Sequence, residues 1–223
     1  MIFDFWFLIF DLARYTGPKE KLERRIGQKL FLKGERSYSP KAAMVKKPYP
    51  PGMHGPKGMR RFSEFGAQLS AKQKIRHIYK ILEKQFKNYV KDAIESKLNS
   101  GDVLVKLLET RLDNIVFRCG FADARDLARQ LVSHGHIMVN NKKISIPSFQ
   151  TKTGDTISIK NDKKINKYFS SVLPTNIKKY DPPKWIKLDK DNLICKIDES
   201  PLSEDSGIDP RDLQMIIEYY SRW

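Results

Sequence analysis

Between residues 63 and 94 apolar side chains recur at three- and four-residue steps: Ile75, Ile78, Tyr79, Leu82, Phe86, Val90, Ala93 and Ile94. That period belongs to an α-helix burying one face, and Ser63 stands where an N-cap is needed, so the pattern predicts one long helix. A second stripe, Leu104, Leu107, Leu108, Leu112, Ile115, Val116 and Cys119, predicts a helix capped near Asp102 and stopped by Gly120. A third follows at once, with Asp123 at the cap, Ala124, Leu127, Ala128, Leu131 and Val132 inward, and Gly135 as the stop.

The period then changes to two. Ile137 and Val139 precede the turn Asn140-Asn141-Lys142, Ile144 and Ile146 follow it, and Ile157 and Ile159 alternate with polar residues after the Gly154-Asp155 turn. Residues 13–62 show neither period. Pro48, Pro50, Pro51, Gly52, Gly55, Pro56 and Gly58 forbid regular helix there, so this stretch reads as an irregular arm. The expected fold class is α+β: a helical domain with an irregular arm, and two short helices packed on a short β-sheet.

Charge changes the picture most. The 223 residues, room for one medium domain or two small ones, carry 42 Lys+Arg against 26 Asp+Glu, a net charge of +16 that attracts polyanions. The excess is N-terminal: residues 1–91 hold 21 basic and 7 acidic side chains, residues 92–160 hold 10 and 8, and residues 161–223 hold 11 and 11. In the arm, Tyr15, Leu30, Phe31, Leu32, Tyr38 and Tyr49 are interleaved with Arg24, Arg25, Lys29, Lys33, Arg36, Lys46 and Lys47, a mixture suited to packing and pairing with RNA. Arg14, Lys19, Arg60 and Arg61 add to the same basic set. Along the predicted long helix, Lys72, Arg76, Lys80, Lys84, Lys87 and Lys91 form a stripe in which Glu83 is the one acid between Ser70 and Lys91. Solvated helix faces usually interleave acids at i,i+4, so phosphates opposite the stripe are the better reading. Arg125 and Arg129 are expected on the outer face of the third helix, with Arg118, His134 and His136 near its ends.

Other chemistries find little support. No span approaches the ~20 apolar residues of a membrane helix. The apolar start, Met1 to Phe10, is too short to span, lacks the basic n-region of a signal peptide and carries none of the Lys or Arg an interfacial anchor would use. Cys119 and Cys195 are too few for a disulfide framework or a four-cysteine zinc site and suit a reducing compartment. Cys119 falls on an apolar stripe and reads as a small buried hydrophobe. His134 and His136 lack a third ligand nearby, and no P-loop or Ser-His-Asp arrangement stands out.

The run from Arg111 to Ile144, RLDNIVFRCGFADARDLARQLVSHGHIMVNNKKI, resembles the small RNA-binding module named after ribosomal protein four. That module also occurs in pseudouridine synthases and a bacterial tyrosyl-tRNA synthetase. The flanks, ARYTGPK (Ala13 to Lys19), LKGERSYSPKAAM (Leu32 to Met44), PYPPGMHG (Pro48 to Gly55), KQKIRHIY (Lys72 to Tyr79) and IIEYYSR (Ile216 to Arg222), resemble the bacterial-type family of small-subunit ribosomal protein four. The resemblance implies a basic arm and helical domain over residues 12–110, an inserted RNA-binding module over 111–171, and a segment, 172–223, that rejoins the helical domain. It implies a structural, non-enzymatic constituent of the small ribosomal subunit that binds the 5′ domain of 16S-type rRNA early in assembly, without cofactor or membrane. It further implies contact with small-subunit protein five, a place where messenger RNA (mRNA) enters, and an influence on decoding accuracy. The expected location is a bacterial-type ribosome in the cytoplasm, an organellar ribosome being the alternative. In the module, the family's RNA-facing positions fall on Arg125, Arg129, His134, His136 and Asn140, with Lys142 beside them.

Two departures are informative. Where many members place four zinc-binding cysteines, this chain has Glu20, Glu23, Ser37 and Ala42, so the arm is expected to be metal-free and to rely on RNA contacts for order. The resemblance also begins at Leu12, which leads to the expectation that the natural chain starts at residue 12, residues 1–11 being an atypical extension. The competing reading is an RNA-modifying or RNA-salvage protein, because Arg111-Leu112-Asp113 spells the catalytic motif of pseudouridine synthases. The catalytic domain in which those enzymes carry the motif is not recognisable here, so Asp113 is expected to be a helix-surface or ion-pair residue.

Overall fold

Ser63 does cap a helix: its hydroxyl accepts the Gly66 N–H at 3.2 Å. In this computed structural model, which describes residues 15–58, 61–160, 168, 169, 173, 177 and 180–222, that helix stops at Ile78. The predicted long helix is therefore two. α1 spans Lys19–Ile26 and α2 spans Ala43–Lys46 in the arm; α3 covers Glu64–Ile78 and α4 covers Glu83–Glu95. Between α3 and α4, Lys80 takes a left-handed φ of 58° and Leu82 is extended. The apolar spacing survives the corner because Ile75, Tyr79, Ile81, Phe86, Val90 and Ala93 all enter one core. A periodicity of three and four does not register one left-handed residue.

The second predicted helix is likewise divided, into α5, Ser100–Glu109, and α6, Leu112–Arg118. Asn99, not Asp102, caps α5, accepting the Gly101 N–H at 3.0 Å. At the break, extended Arg111 bridges Gln150. α7, Arg125–Ser133, starts from Ala124 without a side-chain cap from Asp123. Gly120 and Gly135 end their helices in the left-handed conformation (φ 74° and 69°) that glycine adopts cheaply.

Among the described residues, five antiparallel strands form one sheet in the order β2-β1-β3-β5-β4. β1 (Ile137–Val139) turns through left-handed Asn140 and Asn141 into β2 (Lys142–Lys143), so Ile144 and Ile146 lie beyond the strand. β3 is Thr156–Ile159, β4 Ile186–Asp189 and β5 Ile194–Ile197. Residues 172–223 contribute to both layers. Their strands β4 and β5 extend the sheet through the β3–β5 pairing, while α8 (Pro210–Ser221) packs Leu213 and Ile216 into the helical core beside Leu104 and Leu108. The sheet's own core joins Leu112, Ile115 and Val116 of α6, Ala128 and Val132 of α7, and Ile137, Ile157, Cys195 and Trp185.

Cys119 is fully buried on the α6 stripe, as its position predicts, yet it is not a lone hydrophobe. It forms a disulfide with Cys195 of β5 across 76 residues of sequence. The pairing was invisible from sequence because β5 was not foreseen beside α6. Expectations about residues 1–11, Arg14 and Arg60 lie outside the described residues.

Candidate RNA-binding surface

The cationic stripe splits in two along the α3–α4 corner. Lys72 is 5% exposed; its ammonium donates to Glu83 Oε1 at 2.7 Å and lies 4.6 Å from the Tyr219 ring centre. Arg76 Nε is 3.7 Å from Glu83 Oε2, and Lys80, 8% exposed, is 3.4 Å from Asp126. These three cations were expected to face phosphates, and the structure instead turns them into protein. Helix reversal folds Glu83 back onto α3, where one carboxylate serves Lys72, Arg76 and the Tyr220 hydroxyl. Burial pushes the Glu83 carboxyl up, but hydrogen bonds from Lys72 and Tyr220 and the nearby charges outweigh it, and it titrates below its usual range. Burial lowers Lys80 against the opposing pull of Asp126. His77 is lowered to about 4, by burial first and then by Arg76, Lys80 and Arg25.

The module's arginines are corrected in the same direction. Arg125 does not sit on an outer face: its guanidinium lies 4.8 Å from the Tyr79 ring centre and 4.4 Å from that of Phe117, and Nε donates to Asn114 Oδ1 at 2.8 Å. Arg129 is 3.6 Å from Asp113. The polar side of α7 meets the α3–α4 corner, so the amphipathic pattern marked a second interface. At its centre Glu109, 1% exposed, accepts from the Tyr79 hydroxyl, from Asn114 at 2.7 Å, and from Arg118 Nε and Nη2 at 2.9 and 2.7 Å. Burial alone would raise the Glu109 carboxyl; the Arg118 charge and hydrogen bonds hold it below the usual range instead. The same attraction raises Arg118 despite its burial, whereas burial lowers Arg125.

Sequence reasoning missed Glu109, Asn114 and Tyr79 as parts of this seam. A carboxylate directly after Leu108 on an apolar stripe was the available signal. Asp113 proves to be an ion-pair residue, buried rather than on the surface: Arg111 Nε and Nη2 grip both its oxygens at 3.0 and 2.8 Å, and Arg111 Nη1 donates to the Tyr89 hydroxyl at 2.8 Å.

The arm is organised by its own side chains. Glu23, 5% exposed, accepts the backbone N–H groups of Leu30 and Leu32, both at 3.2 Å, and Ser37 Oγ accepts the Lys33 N–H at 3.1 Å. Glu20 pairs with Arg36 at 3.3 Å and with Lys33 at 3.7 Å, while Ala42 is buried. Thus two of the four positions matched to cysteines, Glu20 and Glu23, tie α1 to the following loop, and a third, Ser37, closes a hydrogen bond within that loop. The expectation that the arm relies on RNA contacts for order therefore needs correction, since Leu22, Leu30 and Leu32 also make a small core against Ile78. Arg24 is a staple, donating to the carbonyls of Lys47, Tyr49 and Pro50 at 3.0 to 3.3 Å. Lys19 pairs with Asp126.

The remaining expected site residues divide simply. Asn140 is exposed but spent on the turn, donating to Asp155 and accepting from Thr156 N–H. His134 is exposed and His136 half-buried, their rings 5.9 Å apart. Arg25, Lys46, Lys47, Arg61, Lys84, Lys87 and Lys142 are exposed, and their side chains have no hydrogen-bond or ion-pair partner among the described residues. Arg24's bond to the Lys47 carbonyl brings Arg25 near Lys46 and Lys47, and α4 carries Lys84 and Lys87.

Residues 14–109 match the family described as "Ribosomal protein S4/S9 N-terminal domain", and residues 110–157 match the "S4 domain". Similar proteins include small ribosomal subunit protein uS4 of Kosmotoga olearia, 44% identical over 211 residues, and that of Geotalea daltonii, 46% identical over 215. The uS4 protein of Thermus thermophilus is 44% identical over 212 residues. Each alignment takes in 95% of this chain and the whole of the relative. With relatives 44–46% identical over 95% of the chain, and with family matches covering both the helical layer and the sheet module, the chain belongs to the family of small ribosomal subunit protein uS4.

Proposed function

We propose that this chain is a structural, rRNA-binding constituent of the small ribosomal subunit. One observation carries the reading beyond family membership: the interior cations each meet a carboxylate or amide, whereas Arg25, Lys46, Lys47, Arg61, Lys84 and Lys87 are exposed and unneutralised among the described residues. Exposed cations without compensating acids are unfavourable in isolation and favourable against phosphates, where bound counterions are released. The partner is small-subunit rRNA of the 16S type, with its 5′ domain as the site ordered during assembly. The family resemblance further supports a position beside small-subunit protein five, where mRNA enters the subunit, and an influence on decoding accuracy.

Sedimentation tests the central part. Tagged chain expressed in a bacterium should travel with free small subunits on a sucrose gradient and stay with them through a high-salt wash. A chain that elutes at the top of the gradient at every salt concentration would remove the ribosomal reading.

A further inference from the structure

α1 and the face of α3 that runs from Gly66 to His77 enclose a groove of about 500 Å³, within the ~300–1,000 Å³ typical of small-ligand sites. Tyr15 and Phe62 line it, 37% and 52% exposed, and Leu22, Ile26 and Leu69 form apolar walls. Its charged lining is basic, Arg25 and Arg76, and no carboxylate lines it among the described residues. Arg76 Nε, 3.7 Å from Glu83 Oε2, is buried without a hydrogen bond among the described residues. Burial and the neighbouring cations keep His77 neutral, so its ring offers one donor and one acceptor.

Gly66 supplies an independent observation. It lies in the first turn of α3, where the low helix propensity of glycine costs up to about 1 kcal/mol relative to alanine. A Cβ there would meet nothing closer than 3.4 Å, an ordinary contact with Phe62 and Ser63, so packing does not require glycine. The missing side chain instead leaves room in the groove it lines.

Resting on the rRNA-binding reading, we infer that this groove receives one unpaired nucleotide of the RNA, its base against Tyr15 and Phe62 and its phosphate at Arg25. Aromatic and apolar walls beneath a basic rim match a nucleotide, which is a flat π-face joined to an anion. The rim has the wrong sign for a cationic partner.

The probe is a transcript of the small-subunit rRNA 5′ domain bound to the full chain. Phe62→Ala and Gly66→Leu should weaken binding on the order of tenfold with an unchanged salt slope, because neither removes a charge. Base-specific chemical probing should then show a single unpaired nucleotide losing protection while the rest of the footprint persists. Arg25→Gln should weaken binding and lower the salt slope by about 0.7, the single-strand value. Gly66→Ala, which favours the helix, should give an intermediate loss of binding at a melting temperature equal to or above that of the unaltered chain. Wild-type affinity and footprint in Phe62→Ala and Gly66→Leu would overturn the nucleotide slot while leaving rRNA binding intact. So would photocrosslinks from position 62 to residues 1–11 in place of RNA. Failure of the unaltered chain to bind the transcript would instead defeat the broader reading.

Discussion

The seam between the helical layer and the sheet module and the outward faces of the arm and α4 are both rich in arginine and lysine, yet they use charge oppositely. In the seam every cation is matched. Arg118 has Glu109, Arg111 and Arg129 have Asp113, Lys80 has Asp126, and Arg125 lies between two rings and an amide. On the outside, Lys84 and Lys87 project from α4 without an acid partner among the described residues. Basic residues that look alike in sequence thus separate into a set that holds the protein together and a set left for a polyanion. Burial and available carboxylates decide which is which.

If that division is right, breaking the seam should cost stability and stripping the exterior should not. The largest effect is expected from Glu109→Ala, which leaves Arg118 and the Tyr79 hydroxyl buried without their acceptor. Chemical denaturation should register a loss of roughly 3–5 kcal/mol. Arg125→Ala should follow at roughly 2 kcal/mol, through the lost Asn114 bond and the ring contacts, in contrast to the outer, RNA-facing position expected for it from the sequence.

Acid should act on the seam and its flank in two windows. His77 is depressed from 6.5 to about 4, so the unfolded chain takes up the proton first and stability falls between those values, by no more than roughly 2 kcal/mol after allowing for partial exposure. Glu109 and Glu83, held below their usual range, contribute stability above the unfolded carboxylate pKa that is lost as pH drops through their folded values. In pH-dependent melting, His77→Asn should flatten the upper window and leave the lower one; an unaltered profile would show that His77 is not the titrating group. The smallest stability change, within about ±0.5 kcal/mol, is expected for Lys84→Gln with Lys87→Gln.

The sequence disclosed what depends on local chemistry. Ser63 caps its helix, Gly120 and Gly135 stop theirs, and the Asn140-Asn141 turn joins two strands. The N-terminal polarity of charge was readable as well. What escaped depends on chain reversal and long-range pairing. One left-handed residue at Lys80 divides a helix that period alone draws straight, and the reversal brings Glu83 back to Lys72 and Arg76. Ile186 with Leu188 and Cys195 with Ile197 alternate like strands, but only pairing with β3 shows that they belong to the module's sheet. Glu23 could be seen to replace a metal ligand; that it would bond the Leu30 and Leu32 amides could not.

The division of cations is tested most directly by the salt dependence of binding to a 5′-domain rRNA transcript. The measurement compares the unaltered chain with a variant in which Arg25, Lys46, Lys47, Lys84 and Lys87 are all changed to Gln. The account predicts an unchanged melting temperature and a slope of log affinity against log salt that flattens by about 0.7 to 0.9 for each phosphate contact removed. An unchanged slope with a large fall in melting temperature would contradict it, because the outer cations would then belong to the fold and not to the RNA.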